Sequence, residues 1–106
     1  MKEKEENLIT NYFEFEGQVI YTQVPEVWTS KSKAKVKLEG SSPNRVVVEF
    51  EFSQRLYNSL GEIDKYDWVT LDGHFEEIIR KTNSGRIRND LHFVCDHVLD
   101  VRRENA

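Results

Sequence analysis

Apolar and polar residues alternate along five separate runs of this sequence, and a period of two places successive side chains on opposite faces of a β-strand. The first run covers residues 12–24. The apolar residues that share one parity in it are Phe13, Phe15, Val19 and Tyr21. Gly17 interrupts the run and Pro25 ends it, so we predict a first strand with a bulge or sharp bend at Gly17.

The second and third runs predict a hairpin. From Lys31 onward, Ala34, Val36 and Leu38 alternate with lysines, which indicates a strand with one buried and one solvated face. A turn cluster follows at residues 40–44. The third run then carries Val46, Val48, Phe50 and Phe52 in phase.

A short helix is predicted next, because Leu56 and Leu60 stand four residues apart and Ser53 can cap the first turn. The fourth run extends from Trp68 to Ile79, and a glycine-containing turn at residues 81–85 joins it to a fifth run over residues 86–101. The in-phase residues of these two runs are Val69, Leu71, Gly73 and Phe75, then Leu91, Phe93 and Cys95.

Three strands, a short helix and a second hairpin are the predicted order of elements. This order fits an all-β, five-stranded OB-fold barrel with one short helix between strands three and four. A chain of 106 residues has room for one such domain, which we predict over residues 12–101. Residues 1–11 are predicted to be a flexible N-terminal segment, and residues 102–106 a short C-terminal tail.

The single cysteine, Cys95, excludes an intrachain disulfide, and no apolar stretch follows the charged N-terminus. No run approaches the roughly 20 apolar residues that a membrane span needs. We therefore expect a soluble, cytoplasmic protein that does not enter a membrane.

The net charge of −4 is unfavourable for binding nucleic acid, but the charges are unevenly distributed. Residues 28–38 and 80–89 contain no acid. Their basic residues are Lys31, Lys33, Lys35 and Lys37 in the first segment, and Arg80, Lys81, Arg86 and Arg88 in the second. These residues are candidates for phosphate contacts, since OB-fold surfaces bind single strands with a cationic groove and aromatic faces. Alternating lysines also fit an ordinary solvated face, and the second segment also fits a solvated hairpin tip.

Four aromatic residues are candidates for stacking on bases: Tyr21, Trp28, Trp68 and Phe75. Tyr21 and Trp28 lie close to the lysine-rich strand in sequence. Trp68 precedes the apolar phase of the fourth run, so its ring is expected to face away from the core. That position fits a stacking platform, a subunit contact or a lid over the helix.

Three parts of the sequence carry a resemblance to a known family. Gly17 is followed by Pro25-Glu26-Val27, and the run that ends at Phe52 leads through Gln54-Arg55-Leu56 into the predicted helix. The stretch from Asp67 to Arg88 contains Val69-Thr-Leu-Asp-Gly73 and the turn Ser84-Gly85. Here the sequence resembles the bacterial single-stranded DNA-binding protein family, over roughly residues 12 to 101. The resemblance implies an OB fold, single-stranded DNA or RNA as ligand, a role in replication or recombination, and a homo-oligomer.

The sequence departs from that family in two places. Family members carry an aromatic stacking residue in the hairpin after strand four, where this sequence has Arg80, whose guanidinium can contact phosphate and also stack on a base. They also end in a long tail with an acidic tip that recruits replication proteins, whereas this sequence ends at Arg-Arg-Glu-Asn-Ala. The resemblance is therefore to a tailless relative, similar to the primosomal OB proteins, and replication proteins remain expected partners.

An OB-fold adaptor that docks another polypeptide is the alternative function, and the acidic balance favours it. An enzyme is not expected, because neither a glycine-rich phosphate cradle nor a nucleophile with a partnered base is present. No cofactor or metal is expected either. His92 is predicted to point opposite Cys95 and His97 on a regular strand, and no fourth ligand is apparent.

Self-association is predicted from the first strand. Tyr12 and Ile20 lie on the parity opposite its core residues, so a lone barrel would leave this apolar area wet. We expect a dimer or a tetramer with closed symmetry.

Overall fold

The protein folds into a closed five-stranded barrel with one helix, as described by a computed structural model for residues 11–41 and 45–104. The elements are β1 (Tyr12–Gln23), β2 (Ala34–Gly40), β3 (Val47–Phe52), α1 (Gln54–Ser59), β4 (Trp68–Lys81) and β5 (Ile87–Arg102). Around the barrel the strand order is β1-β2-β3-β5-β4. The predicted all-β OB fold with a short helix between the third and fourth strands is confirmed. Residues 1–10 of the expected N-terminal segment and residues 105 and 106 of the expected tail lie outside the described residues.

The barrel interior is filled by the alternating apolar residues of all five strands and by two leucines at the helix. They are Val19, Ala34, Val36, Leu38, Phe50, Phe52, Leu56, Leu60, Val69, Leu71 and Cys95. The predicted inward phase is therefore confirmed for the central part of each strand. Val46 and Leu91 were expected in that phase but are both 52% exposed, because one precedes β3 and the other lies beyond the end of the barrel.

Helix α1 closes one end of the core. The Ser53 side chain accepts a hydrogen bond from the Leu56 amide at 3.3 Å, which satisfies a backbone donor of the first turn. Leu56 and Leu60 are buried against the barrel, so the predicted cap and apolar pair are both confirmed. Within the described ranges, no helix is long and apolar enough to cross a membrane.

β1 changes partner near its middle. Its first half pairs with β4 from Tyr12 to Gln18, and its second half pairs with β2 from Gly17 to Gln23. Gly17 lies at this exchange, where a Cβ would approach the Phe15 ring to 2.9 Å and the Glu39 carbonyl oxygen to 3.0 Å. These close contacts explain why a glycine stands here, but Gly17 pairs in register with both Gly40 and Val69. The bulge of β1 lies between Val19 and Tyr21 and not at Gly17 as predicted.

β4 and β5 are the longest strands and extend past the barrel as a two-stranded arm, residues 76–92. In the described part of the chain, β4 pairs with β1 only as far as His74, and β5 meets β3 only at Phe93 and Val94. Beyond these points β4 and β5 continue to pair with each other up to Lys81 and Ile87. The arm therefore exposes both of its faces.

Candidate nucleic-acid interface

Tyr21 lies on the outer face of the barrel because β1 contains one extra residue at Ile20. The register passes from Val19 opposite Leu38 to Tyr21 opposite Lys37, so the inward phase of the first half of β1 is lost at this point. The prediction that Tyr21 shares the core parity of Phe13 and Val19 is therefore wrong. Its ring is 49% exposed, and the Lys37 Nζ atom lies 5.4 Å from the ring centroid. An exposed ring beside an ammonium group offers stacking and a phosphate contact together.

Lys33, Lys35 and Lys37 form a row, the lysine row, along the outer side of β2. The buried side chains of Ala34 and Val36 hold Lys35 and Lys37 outward. Alternate residues on a strand lie about 7 Å apart, so the row spaces its charges as an extended polyanion does. On the β1 side, Lys35 is opposite Gln23 and Lys37 is opposite Tyr21, which leaves that side of the row without carboxylates.

Two carboxylates face the lysine row from β3. Glu51 pairs with Lys35 and Glu49 with Lys37 in the antiparallel register. The segment that contains no acid in the sequence therefore has acids beside it in space. Opposite charges in cross-strand positions stabilise a sheet by about 0.2–1 kcal/mol per pair, and these glutamates would compete with phosphate for the lysines.

Trp28 and Lys31 lie in the connection between β1 and β2. The Trp28 ring is half-buried against Tyr57 of α1, with ring centroids 6.4 Å apart, and it packs on the edge of the core. Lys31 is exposed in a turn held by hydrogen bonds between Thr29 and Ser32. Lys31 thus lies in the turn that precedes the lysine row, whereas Trp28 packs on the edge of the core.

Trp68 and Tyr66 flank β1 on its β4 side. Trp68 pairs with Gln18, and the Tyr66 amide donates to the Val19 carbonyl at 2.8 Å. A cation lies over each ring, with Arg102 5.5 Å from the Trp68 centroid and Lys65 5.2 Å from the Tyr66 centroid. These neighbours were not identified from the sequence, because pairing brings Lys65, Tyr66 and Arg102 to β1 from distant positions.

The buried Asp67 lies between Tyr66 and Trp68 in the chain. Its carboxylate accepts hydrogen bonds from the Asp64 and Glu104 amides, both at 2.9 Å, and lies 3.6 Å from Arg103. The amide hydrogen bonds lower the pKa of Asp67, so it remains ionised at neutral pH. This carboxylate joins the turn before β4 to the end of β5.

The four predicted basic residues of the hairpin do not share one face. Arg80 and Arg88 are directly opposite each other, and both contact Asp90, at 3.1 and 3.4 Å. Lys81 pairs with Ile87 and so points to the other face of the arm. Arg86 is exposed at the turn; among the described residues, neither it nor Lys81 has a carboxylate within ion-pair distance.

Phe75 lies at the rim of an aromatic cluster where the arm leaves the barrel. Its ring centroid is 6.1 Å from that of Phe93, which also contacts Phe13 and Phe50. A depression of about 240 Å³ opens over these rings. Phe75 is 37% exposed, so it is partly core and partly available at the surface.

Acidic residues separate the lysine row from the arginines of the arm. Between these regions lies a groove of about 410 Å³ whose lining includes Glu49, Glu51 and His92. His92 Nδ1 is 2.5 Å from Glu51 Oε2, and Glu76 pairs with His92 across the arm. The structure thus brings Tyr21 to the lysine row but does not join the row to the basic residues of the arm.

Histidine–carboxylate contacts continue over the outer face of β4, β5 and β1. His74 Nδ1 lies 2.7 Å from Asp96 and its Nε2 lies 2.8 Å from Glu76, and the contact with Asp96 is the main cause of a raised pKa of His74. Asp72 accepts from the Tyr12 hydroxyl at 2.6 Å and lies 2.8 Å from His97 Nδ1. Burial raises the pKa of Asp72, but these two contacts outweigh it and lower the pKa.

Stability is expected to depend on pH through His74. Because its folded-state pKa is raised, the imidazolium stabilises the fold fully below the ordinary value of 6.5, and this stabilisation is lost as the pH rises through the folded-state pKa. The free energy of unfolding, measured in urea from pH 6 to 9 for the wild type and His74→Gln, should differ most at pH 6. A difference that stays constant with pH would show that proton binding at His74 contributes nothing.

Cys95 and the neighbouring histidines are not brought together as ligands. An extra residue at Asp96 shifts the register of β5, so His97 is exposed while Cys95 is buried. The expectation that Cys95 and His97 share one side of β5 is therefore wrong. Burial raises the pKa of the Cys95 thiol to about 12, and within the described ranges no group of three His, Cys, Asp or Glu side chains could hold a metal ion.

Comparison with solved structures identifies a fold relative. The chain is similar to the crystal structure of the mitochondrial single-stranded DNA-binding protein Rim1 from S. cerevisiae, with a TM-score of 0.57 and 11% sequence identity, over 88% of this chain and 93% of that chain. No protein-family model and no curated protein matches the sequence. At 11% identity the likeness shows a shared OB fold.

Proposed function

We propose that this protein binds single-stranded DNA, without catalysis, along the outer face of β1 and β2. The observation that carries the proposal is the position of Tyr21, an exposed ring next to Lys37 at one end of the lysine row. Stacking on such a ring is worth about 1–3 kcal/mol per base, and it requires the unpaired bases of a single strand.

β2 and β1 make different contacts with the nucleic acid. Lys33, Lys35 and Lys37 contact successive phosphates, while Tyr21 stacks on a base from the β1 side of the row. Trp68 and Phe75 lie on other parts of the surface and would contact only a strand that wraps around the barrel. Lys81 and Arg86 at the tip of the arm offer phosphate contacts to such a longer strand.

The fold relative supports this proposal, since Rim1 is a mitochondrial single-stranded DNA-binding protein. A role in replication or recombination, membership of the bacterial family in a tailless form, and a cytoplasmic location belong to the same proposal. A domain over residues 12–101 also belongs to it, because the barrel strands run from Tyr12 to Arg102.

Single-stranded DNA is expected to bind more tightly than duplex of the same sequence. Labelled oligo-dT, oligo-U and a matched duplex would be titrated with the protein by fluorescence anisotropy at equal salt. Binding should be tightest to a single strand and should weaken steeply as salt is added, because phosphate contacts release counterions. Equal or tighter binding to the duplex would exclude the proposed mode.

A protein adaptor is the second candidate, and the pairing of Glu49 and Glu51 with the lysine row favours it. If these carboxylates neutralise the row, the outer face is an ordinary mixed-charge surface that docks a polypeptide. The same titration separates the two candidates, because an adaptor shows little affinity for oligonucleotides at any salt concentration.

A further inference from the structure

One face of the arm carries an exposed apolar stripe. Directly opposite residues of an antiparallel pair place their side chains on the same face. The rows on this face, from the barrel outward, are Phe75 with Phe93, Glu77 with Leu91, Ile79 with Asn89, and Lys81 with Ile87. Ile79, Ile87 and Leu91 are 66%, 71% and 52% exposed, so the stripe faces water in a single copy.

The opposite face of the arm is mostly polar. It carries Glu76 with His92, Ile78 with Asp90, and Arg80 with Arg88, and Asp90 contacts both arginines. Ile78 is 37% exposed, less than the isoleucines of the stripe. The most exposed large apolar side chains of the arm are therefore concentrated on one of its two faces. Such patches on soluble domains commonly mark contact sites.

We infer that a second copy of this chain covers the stripe, with a twofold axis at the row of Ile79 and Asn89. This axis lies between the two arms and is perpendicular to their strands. It sets the two stripes face to face, with each β4 antiparallel to β4 of the second copy. Row by row, Ile79 meets Ile79 of the second copy, and Ile87 meets Leu91 of the second copy. Glu77 then meets Lys81 of the second copy, twice per dimer.

The charges select this arrangement over the other face-to-face twofold. An axis parallel to the strands would place Glu77 over Leu91 and Lys81 over Ile87, so both charged groups would lose water without a partner. Only the first axis pairs Glu77 and Lys81 with the opposite charge of the second copy. The stripe thus matches itself in apolar contacts and in charge, as an isologous interface requires.

This interface differs from the one expected at Tyr12 and Ile20 on β1. The Tyr12 hydroxyl already donates to Asp72, which raises the pKa of Tyr12 to about 12, and Ile20 is half-buried. The arm exposes its isoleucines more fully and carries the matching charges. The dimer engages Lys81, which the proposed function offers to a longer strand, so self-association is tested without nucleic acid and does not depend on DNA binding along β1 and β2.

Charge exchange tests the interface directly. Sedimentation equilibrium without nucleic acid is expected to give a dimer for the wild type. Glu77→Lys or Lys81→Glu alone should raise the dimer Kd at least about tenfold, since each places like charges face to face. The double variant Glu77→Lys, Lys81→Glu should return the Kd to near the wild-type value. Within one chain these residues are four apart on a strand, too far for direct contact, so restoration requires a second copy.

Matched apolar variants complete the test. Ile79→Ser should weaken the dimer more than Ile78→Ser, which changes the same residue type on the opposite face of the arm. Circular dichroism verifies that each variant is folded. A monomeric wild type at tens of micromolar, a dimer unaffected by the single charge changes, or a double variant no better than either single one would each overturn the inference.

Discussion

Replacing Gly73 with alanine is expected to remove most of the stability of the fold. A Cβ at this position would lie 2.0 Å from the Val94 carbonyl oxygen and 3.2 Å from the Cys95 Cα atom, both on the backbone of β5. The register of β4 and β5 shifts between Asp72 and Gly73, which brings the strands close at this point. The β5 backbone cannot move away from this position without opening the barrel.

The expected cost of Gly73→Ala is about 4 kcal/mol or more, a large part of the roughly 5–15 kcal/mol that a small domain has. Urea unfolding monitored by circular dichroism would measure it. Gly40→Ala is the control, because its nearest neighbour is the Phe15 ring edge at 3.3 Å, which can shift. Similar midpoints for the two variants would contradict the steric argument.

The fold was predictable because alternating apolar residues in the centre of each strand indicate which of its faces is buried. Val36 and Leu38, or Val69 and Leu71, can occupy only one face of a half-buried strand, and their alternation is visible in the sequence. The cap at Ser53 is equally local. These features depend on neighbours along the chain, so no knowledge of strand pairing was needed.

The two side chains that were assigned to the wrong side of a strand both follow bulges. An extra residue at Ile20 reverses the phase of β1, and an extra residue at Asp96 does the same in β5. Neither residue is a glycine or a proline, the residue types that usually indicate an interruption. Tyr21 and His97 were therefore assigned to the wrong side of their strands.

The candidate site was only partly visible for a related reason. The lysine row is a property of one strand, but the carboxylates of Glu49 and Glu51 reach it through the pairing of β2 with β3. A segment without acids along the chain says little about the strand beside it. Tyr66 and Arg102 escaped notice because contacts between distant segments place them next to β1 and β4.

Replacing Lys33, Lys35 and Lys37 together with alanine is expected to weaken binding to oligo-dT about 100-fold at roughly 0.1 M salt. Each phosphate contact to a single strand contributes about 0.7 to the slope of log K against log salt, so three contacts contribute about 2 units. The slope should fall by that amount, and circular dichroism would verify that the variant is folded.

The single variant Glu49→Gln is expected to have the opposite effect at the same site and to raise the affinity for oligo-dT. Glu49 is the carboxylate across from Lys37, next to Tyr21, and it has no histidine contact like that of Glu51. Removing its charge should free Lys37 for phosphate and raise the affinity for oligo-dT about twofold to fivefold, the scale of one exposed ion pair. Lys37→Ala combined with Glu49→Gln should cancel the gain, because the carboxylate acts through that lysine. If Glu49→Gln leaves the affinity unchanged and the triple lysine variant keeps the wild-type salt slope, the strand does not pass over β2.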